Sequence, residues 1–172
     1  MQYPFDQLIA AVPDFPKEGI LFRDITPLLA SPEAMNACIQ ALKTKALELK
    51  PTHVIGIESR GFIFGVPLAQ ELGLPFLPAR KPGKLPREVH TVSYQLEYGS
   101  DSLSLHRDDL PTDSRALIVD DLLATGGTAA ACAELIQRAG SEVAGCLVVI
   151  ELLALQGSSR LGEIPVRSLL QY

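Results

Sequence analysis

The sequence has no tryptophan, only two methionines and three cysteines, and aromatic residues make up just 6% of it. An odd number of cysteines, spread out at Cys38, Cys132 and Cys146, excludes a disulfide framework. Each lies in an apolar stretch and reads as a buried, reduced thiol of a cytoplasmic protein. The histidines are equally sparse: His53, His90 and His106 have no second ligand at helical spacing, which argues against zinc. No apolar run reaches transmembrane length, since the longest candidate, around Val143 to Leu155, is broken by Gly145 and Glu151. Met1 to Phe5 shows neither a basic head nor an apolar run, so no signal peptide is expected. Positive charge is also in deficit. Fifteen Lys and Arg face twenty Asp and Glu, for a net charge of −5, which disfavours a surface built to grip nucleic acid. A local anion-binding patch stays open.

What is present is an ordinary globular composition, 47% hydrophobic over 172 residues, enough for a single domain with a well-buried core. Apolar spacing predicts a short helix over Gln2 to Val12, ended by Pro13 and Pro16, and an irregular stretch from Asp14 to Thr26. Ser31-Pro32-Glu33 has the cap, first-turn proline and acid of a helix start. That helix is expected to reach Leu49, with Ala34, Cys38, Leu42 and Ala46 on one stripe. Strand and helix then alternate. His53 to Ile57 is a predicted strand, Gly61 to Leu72 a helix stopped by Gly73, and Leu74 to Ala79 a short strand. Arg80 to Gly99 reads as a long loop bounded by weak strands, of the length that tends to carry function. Strands follow at Ser102 to His106, at the continuous apolar run Ala116 to Val119 and at Val143 to Leu152, with a helix over Thr128 to Arg138. The class is α/β, with a largely parallel sheet covered by helices and ligands bound beyond the strands' carboxyl ends.

The chemistry concentrates in Ala116 to Ala130, ALIVDDLLATGGTAA. A buried strand ends in Asp120 and Asp121, a loop of Thr125, Gly126, Gly127 and Thr128 follows, and a helix begins. Two glycines let backbone amides approach an anion, threonine hydroxyls add donors, and the helix start adds unpaired amides with partial positive charge. That is a phosphate cradle. Carboxylates beside it repel phosphate but suit hydroxyl groups or the waters of a magnesium ion. A solvated strand end and an ordinary capped turn would explain either half alone. A phosphorylated sugar explains both. The Walker pattern fails because Thr128 follows Gly127 where it needs lysine, and G-x-G-x-x-G follows no predicted strand.

Val119 to Ala130 resembles the signature of the type I phosphoribosyltransferases, in which an acid pair holds the ribose hydroxyls and a Thr-Gly-Gly-Thr loop holds the 5-phosphate. Relatives acting on 6-oxopurines usually carry an acid where this chain has Ala124. Asp14 to Leu29, Glu58-Ser59-Arg60-Gly61-Phe62, Tyr94 to Ser102 and Leu169 to Tyr172 extend the likeness to the adenine phosphoribosyltransferases from end to end, with Glu18 the one departure, where proline is commoner. The resemblance implies a mostly parallel sheet flanked by helices, with a small hood contributed mainly by residues 1–30 of one domain spanning 1–172. It implies transfer of 5-phosphoribosyl from phosphoribosyl pyrophosphate to adenine, giving AMP and pyrophosphate in purine salvage. Magnesium would arrive with that substrate, and a homodimer is the expected assembly, with the basic loop able to reach across its interface.

Residue by residue, the likeness places Leu21, Phe22 and Arg23 at the adenine site; Phe22 lies in an irregular segment where stacking on a purine is credible. Leu122 and Leu123 either close the other face of the ring or belong to the core. Ala124 to Thr128 hold the 5-phosphate, and Asp120 and Asp121 the ribose. Glu58, Ser59 and Arg60 match the pyrophosphate loop, with a cis bond implied between Glu58 and Ser59; a bidentate guanidinium suits pyrophosphate oxygens. Arg80, Lys81, Lys84 and Arg87 put four cations within eight residues. Either they form a solvated loop or they close over a polyanion, and Lys81, Lys84 and Arg87 are the pyrophosphate candidates. Glu97 is the candidate general acid, with Tyr98 covering the reacting carbon. Two readings from other classes compete. A sensor of phosphoribosyl pyrophosphate usually adds a DNA-binding domain, for which segments beginning by Asp14 leave no room. A phospho-acceptor domain built on Asp-Asp leaves Thr125 to Thr128 and the basic loop unexplained.

Overall fold

A computed structural model of the chain describes residues 3–95 and 100–172. In chain order the elements are a 3-10 turn at Phe5–Leu8, strands β1 (Ala10–Pro13) and β2 (Leu21–Asp24), helices α1 (Thr26–Leu29) and α2 (Pro32–Leu49), strand β3 (His53–Ile57), helix α3 (Gly61–Leu72), strands β4 (Phe76–Ala79), β5 (Val89–Gln95), β6 (Ser100–His106) and β7 (Arg115–Leu123), helix α4 (Gly127–Arg138), and strands β8 (Glu142–Glu151) and β9 (Val166–Gln171). Two further 3-10 turns, Leu153–Leu155 and Gly157–Leu161, join β8 to β9.

Five parallel strands form the central sheet in the order β4-β3-β7-β8-β9. The inner strands are buried on both faces, as their unbroken apolar runs require. Alternate residues serve opposite cores. Ile55, Ile57, Ile118 and Val148 pack with Cys132, Leu135 and Ile136 of α4 and with Val92, Leu103 and Leu105 of the β5–β6 hairpin. Val54, Leu117, Val119, Leu147 and Val149 pack with Leu42 and Ala46 of α2 and Phe64 and Leu68 of α3. The α2 stripe is fully buried at Ala34, Cys38, Leu42 and Ala46. All three cysteines are free and buried; desolvation pushes the thiols of Cys38 and Cys146 up to about 12.

Chain direction sets the site. From β3 the chain crosses through α3 to β4 on one side, and from β7 it crosses through α4 to β8 on the other. The two crossovers diverge between adjacent strands β3 and β7, opening a crevice at their carboxyl ends. Two antiparallel ribbons flank this core, β1–β2 and β5–β6.

Five elements differ from what local pattern predicts. Periodicity predicts a helix over 2–12; the described part of that span is a 3-10 turn followed by β1, whose ladder to β2 outweighs the helical spacing of Leu8, Ile9 and Val12. The irregular stretch 14–26 contains β2. The later part of the predicted loop 80–99 is strand β5, paired from Val89 to Gln95 with β6. Strand β7 continues through the acid pair to Leu123, and β9 is an additional partly buried strand.

Ser31 accepts a hydrogen bond from the Ala34 amide at 3.2 Å, satisfying one of the free donors at the start of α2. Ser31→Ala is expected to remove about 1 kcal/mol, a fall of roughly 2–4 °C in Tm read by calorimetry.

Candidate active site

Strand β7 delivers its two acids into a restricted space. Asp121 is 2% exposed and Asp120 is half-buried. The Asp121 amide donates to Asp120 Oδ1 at 2.9 Å. Burial, and then the adjacent Asp121 charge, hold the Asp120 carboxyl well above the usual carboxylate range. Burial raises Asp121 as well, opposed mainly by the guanidinium of Arg60. That guanidinium lies at the start of α3, its Nε 3.0 Å from Asp121 Oδ2. The pair is close enough for strong attraction but is not aligned as a hydrogen bond, so this buried oxygen keeps an unmet acceptor. Close approach of α3 to β7 depends on Gly61: a Cβ there would stand 2.5 Å from the Val119 carbonyl oxygen.

The loop 124–126 turns directly into α4. Gly126 adopts φ 80°, and a Cβ on it would stand 2.2 Å from the carbonyl oxygen of Gly157. Reciprocally, a Cβ on Gly157 would stand 2.2 Å from the Ala124 carbonyl oxygen. Two glycine backbones therefore press together and brace the loop from behind. No side chain caps α4, which leaves its first-turn amides and partial positive charge directed at the crevice. Arg60, Asp120 to Ala129, Cys146 and Val148 enclose a cavity of about 220 Å³.

A second cavity of about 240 Å³ adjoins the first through Arg60, Asp120, Asp121 and Thr128, and is completed by Ile57, Glu58, Ser59, Lys81, Tyr94 and Asp101. The Glu58–Ser59 peptide is cis. The Glu58 carboxylate is already occupied. It accepts from Arg80 Nη2 at 3.0 Å and Nε at 3.3 Å, and from the Lys81 amide at 2.8 Å. The Arg80 hydrogen bonds hold it below the usual range. Ser59 and Arg60 are exposed. Lys81 Nζ donates to Asp101 and, at 3.2 Å, to the Tyr94 hydroxyl. Burial works against this ammonium's charge, but Asp101 and Tyr94 outweigh it and raise its pKa.

A third, largely apolar cavity of about 790 Å³ lies on the opposite side of the phosphate loop, which it meets at Ala124 and Thr125. Gly19, Ile20, Leu21 and Arg23 of the β1–β2 ribbon line one wall; Leu152, Ala154, Leu155 and Tyr172 line the other. The Arg23 guanidinium stacks on the Tyr172 ring, 3.7 Å from its centroid.

The crevice thus gathers Leu21, Arg23, Glu58, Ser59, Arg60, Lys81 and Asp120 to Thr128, with Leu122 and Leu123 on the walls of the phosphate cavity. Three predicted side chains stand apart from the cavities. Strand alternation turns Phe22 away from Leu21 and Arg23; its ring meets Phe15 edge-on at 5.1 Å and lies 6.0 Å from the Arg60 guanidinium. Arg87 is held by Asp109 at 2.6 Å and His106 at 2.9 Å, and Lys84 is exposed. Glu97 and Tyr98 lie outside the described residues. Gly157 lies outside every matched motif, whereas Tyr94, Asp101 and Tyr172 fall within matched segments that assign them no individual role. Only the register Tyr94↔Asp101 of the hairpin signals that two of them belong together. Among the described residues no group of three or more His, Cys, Asp or Glu is arranged to hold a metal ion, and no helix is long and apolar enough to cross a membrane.

Residues 24–165 match the model of the phosphoribosyl transferase domain family. An adenine phosphoribosyltransferase of Nostoc punctiforme is 56% identical over 96% of this chain and 97% of its own length. The crystal structure of an adenine phosphoribosyltransferase from Thermoanaerobacter pseudethanolicus superposes with a TM-score of 0.93, at 46% identity and 98% coverage of both chains. The Saccharomyces cerevisiae enzyme of the same name, solved with an imino-altritol bisphosphate and adenine, gives a TM-score of 0.93 at 40% identity over 96% of each chain.

The buried acid pair has a measurable consequence for stability. Between the ordinary carboxylate pKa and its raised value, Asp120 holds its proton in the folded chain but not in the unfolded one, so stability falls as pH rises through that window. Asp120→Asn is expected to raise the Tm of the ligand-free protein at pH 7.5 by about 2–4 °C. The gain is expected to shrink toward pH 4, where the native residue is also neutral; thermal scans at the two pH values check both.

Proposed function

Since the chain belongs to the adenine phosphoribosyltransferases of the phosphoribosyl transferase family, we propose how its residues divide the work of that reaction. It transfers the 5-phosphoribosyl group of phosphoribosyl pyrophosphate to adenine, giving AMP and pyrophosphate, the step of purine salvage. The observation that carries the assignment of residues is the row of three adjoining cavities, with the phosphate loop in the middle, a large apolar cavity on one side and a polar one on the other.

The 5-phosphate lies on the amides of Thr125 to Thr128, where the α4 start compensates its charge. Asp120 and Asp121 accept the ribose hydroxyls. Buried carboxylates gain most from such donors, because leaving them unsatisfied is costly. Adenine enters the apolar cavity between the hood, formed mainly by residues 1–30, and the Leu152–Leu155 wall. Arg23 and Leu21 border its edge and Phe22 packs above Arg60 at the boundary with the ribose. Ala124 leaves the space beside the base without an acid. Pyrophosphate occupies the cavity bounded by Ser59, Arg60 and Lys81, with the Glu58 carboxylate serving to hold Arg80 and the Lys81 backbone in place. Lys84 and Arg87 would reach the substrate only by leaving their present positions. Magnesium carried by the substrate would neutralise pyrophosphate charge, and the Asp120 and Asp121 carboxylates would supply oxygen acceptors for it or for its waters.

N9 of adenine attacks the ribose C1 as the bond to pyrophosphate breaks, through a transition state with oxocarbenium character. As the C1–N9 bond forms, the adenine that reacts as its N7–H tautomer gives that proton to the Glu97 carboxylate, which returns it as general acid in the reverse direction, and Tyr98 covers the reacting carbon against water. A homodimer fits the exposed Ile63 and Val66 on α3, and three free buried thiols fit a reducing cytoplasm.

Initial rates with adenine, hypoxanthine, guanine and orotate, each with phosphoribosyl pyrophosphate and magnesium, check the base assignment; turnover is expected with adenine alone. Glu97→Gln is expected to lower kcat by about 10²- to 10⁴-fold while phosphoribosyl pyrophosphate still binds. Unchanged kcat would remove Glu97 from the chemistry.

A further inference from the structure

Both cations that line the pyrophosphate-side cavity have a carboxylate partner within the protein. Arg60 is paired with Asp121, and Lys81 with Asp101. A polyanion entering this cavity must therefore compete with groups of the protein itself. The two pairs differ in how they are held. Asp121 is buried at the end of β7 and belongs to the ribose side of the crevice. Asp101 is half-buried, the second residue of β6, and stands opposite Tyr94 in the hairpin register. Besides Lys81 it is held by a 3.3 Å hydrogen bond from the Tyr94 hydroxyl and a 2.7 Å bond from the Ser102 amide. Both of these persist if Lys81 turns away. Lys81 keeps its own backbone anchor as well, since its amide donates to Glu58. The ammonium can thus exchange acceptors without dismantling either element.

We propose that Asp101 is a positioning residue for the leaving group: its carboxylate occupies, in the ligand-free enzyme, the place on Lys81 that a pyrophosphate oxygen takes when substrate binds. This rests on the reading of Lys81 as a pyrophosphate ligand. Asp101 keeps the ammonium extended at the cavity wall while the site is empty. It competes with substrate on entry and reclaims the ammonium as product pyrophosphate departs. The Tyr94 hydroxyl bonds to both partners and keeps them in register during the exchange. Asp101 is three residues from Tyr98 and four from Glu97 along the chain.

Isothermal calorimetry with inorganic pyrophosphate and magnesium on the native enzyme, Asp101→Asn, Lys81→Met and the double variant tests this, alongside steady-state kinetics. Asp101→Asn keeps the shape and removes the competing charge. It is expected to bind pyrophosphate about two- to fivefold more tightly, the range set by a half-exposed ion pair. The KM for phosphoribosyl pyrophosphate is expected to fall in proportion, with kcat unchanged or lower. Lys81→Met is expected to weaken pyrophosphate by at least about tenfold, and in that background the Asp101 substitution is expected to have no effect. If Asp101→Asn binds pyrophosphate no more tightly than the native enzyme while Lys81→Met weakens it, the exchange is overturned and Lys81 stays a ligand. If Lys81→Met binds as the native enzyme does, the assignment of Lys81 itself falls, and the exchange with it.

Discussion

Two carboxylates taken out of water near the end of a buried strand, a few residues before a glycine-rich turn into a helix, are the constraint on which the rest of this crevice depends. Ionisation of Asp120 and Asp121 is unfavourable within the fold, since burial raises both carboxyl groups. They are tolerated because Arg60 is brought against Asp121, which in turn requires α3 to start where only a glycine fits against β7. The same strand end delivers the loop braced on Gly157. One local sequence therefore determines where the anion cradle, the diol acceptors and the first cation stand. A bound sugar phosphate relieves the cost by supplying donors to the acids and charge to the cradle, so affinity is built from what the empty fold leaves unsatisfied.

The second feature of the site is internal compensation of charge. An acidic protein with a net charge of −5 has to keep cations at hand for a polyanionic substrate without attracting every anion in solution. Pairing Arg60 with Asp121, Arg80 with Glu58 and Lys81 with Asp101 meets both needs. The pairs hold long side chains in place in the empty state, so less side-chain freedom is lost when substrate arrives.

Much of this was legible in the sequence, for identifiable reasons. The core strands and helices are marked by unbroken apolar runs, a serine cap at Ser31 and a stop at Gly73, and these occur within a residue or two of the expected places. The phosphate cradle was legible because its glycines, threonines and acids are contiguous. What escaped were features that depend on chain segments meeting across space. The β1–β2 ribbon draws its stability from pairing and not from its own spacing. β9, Val-Arg-Ser-Leu-Leu-Gln, is only partly buried and shows no clean alternation. Gly157 matters because Ala124 and Gly126 press on it from more than 30 residues away. Three consecutive residues, Leu21 to Arg23, read as one site, whereas a strand can offer only alternate side chains to one face.

The most direct test of the central claim, that the acid pair holds the ribose diol while the loop holds the phosphate, is a calorimetric comparison of AMP with 2′-deoxy-AMP. Loss of one hydroxyl leaves a buried, charged acceptor without its donor, and about 1.5–3 kcal/mol attaches to such a bond. The expected result is that the deoxynucleotide binds at least about tenfold more weakly, with the difference abolished in Asp120→Asn/Asp121→Asn. Equal affinity of the native enzyme for the two nucleotides would contradict the assignment and return the acid pair to a purely structural role.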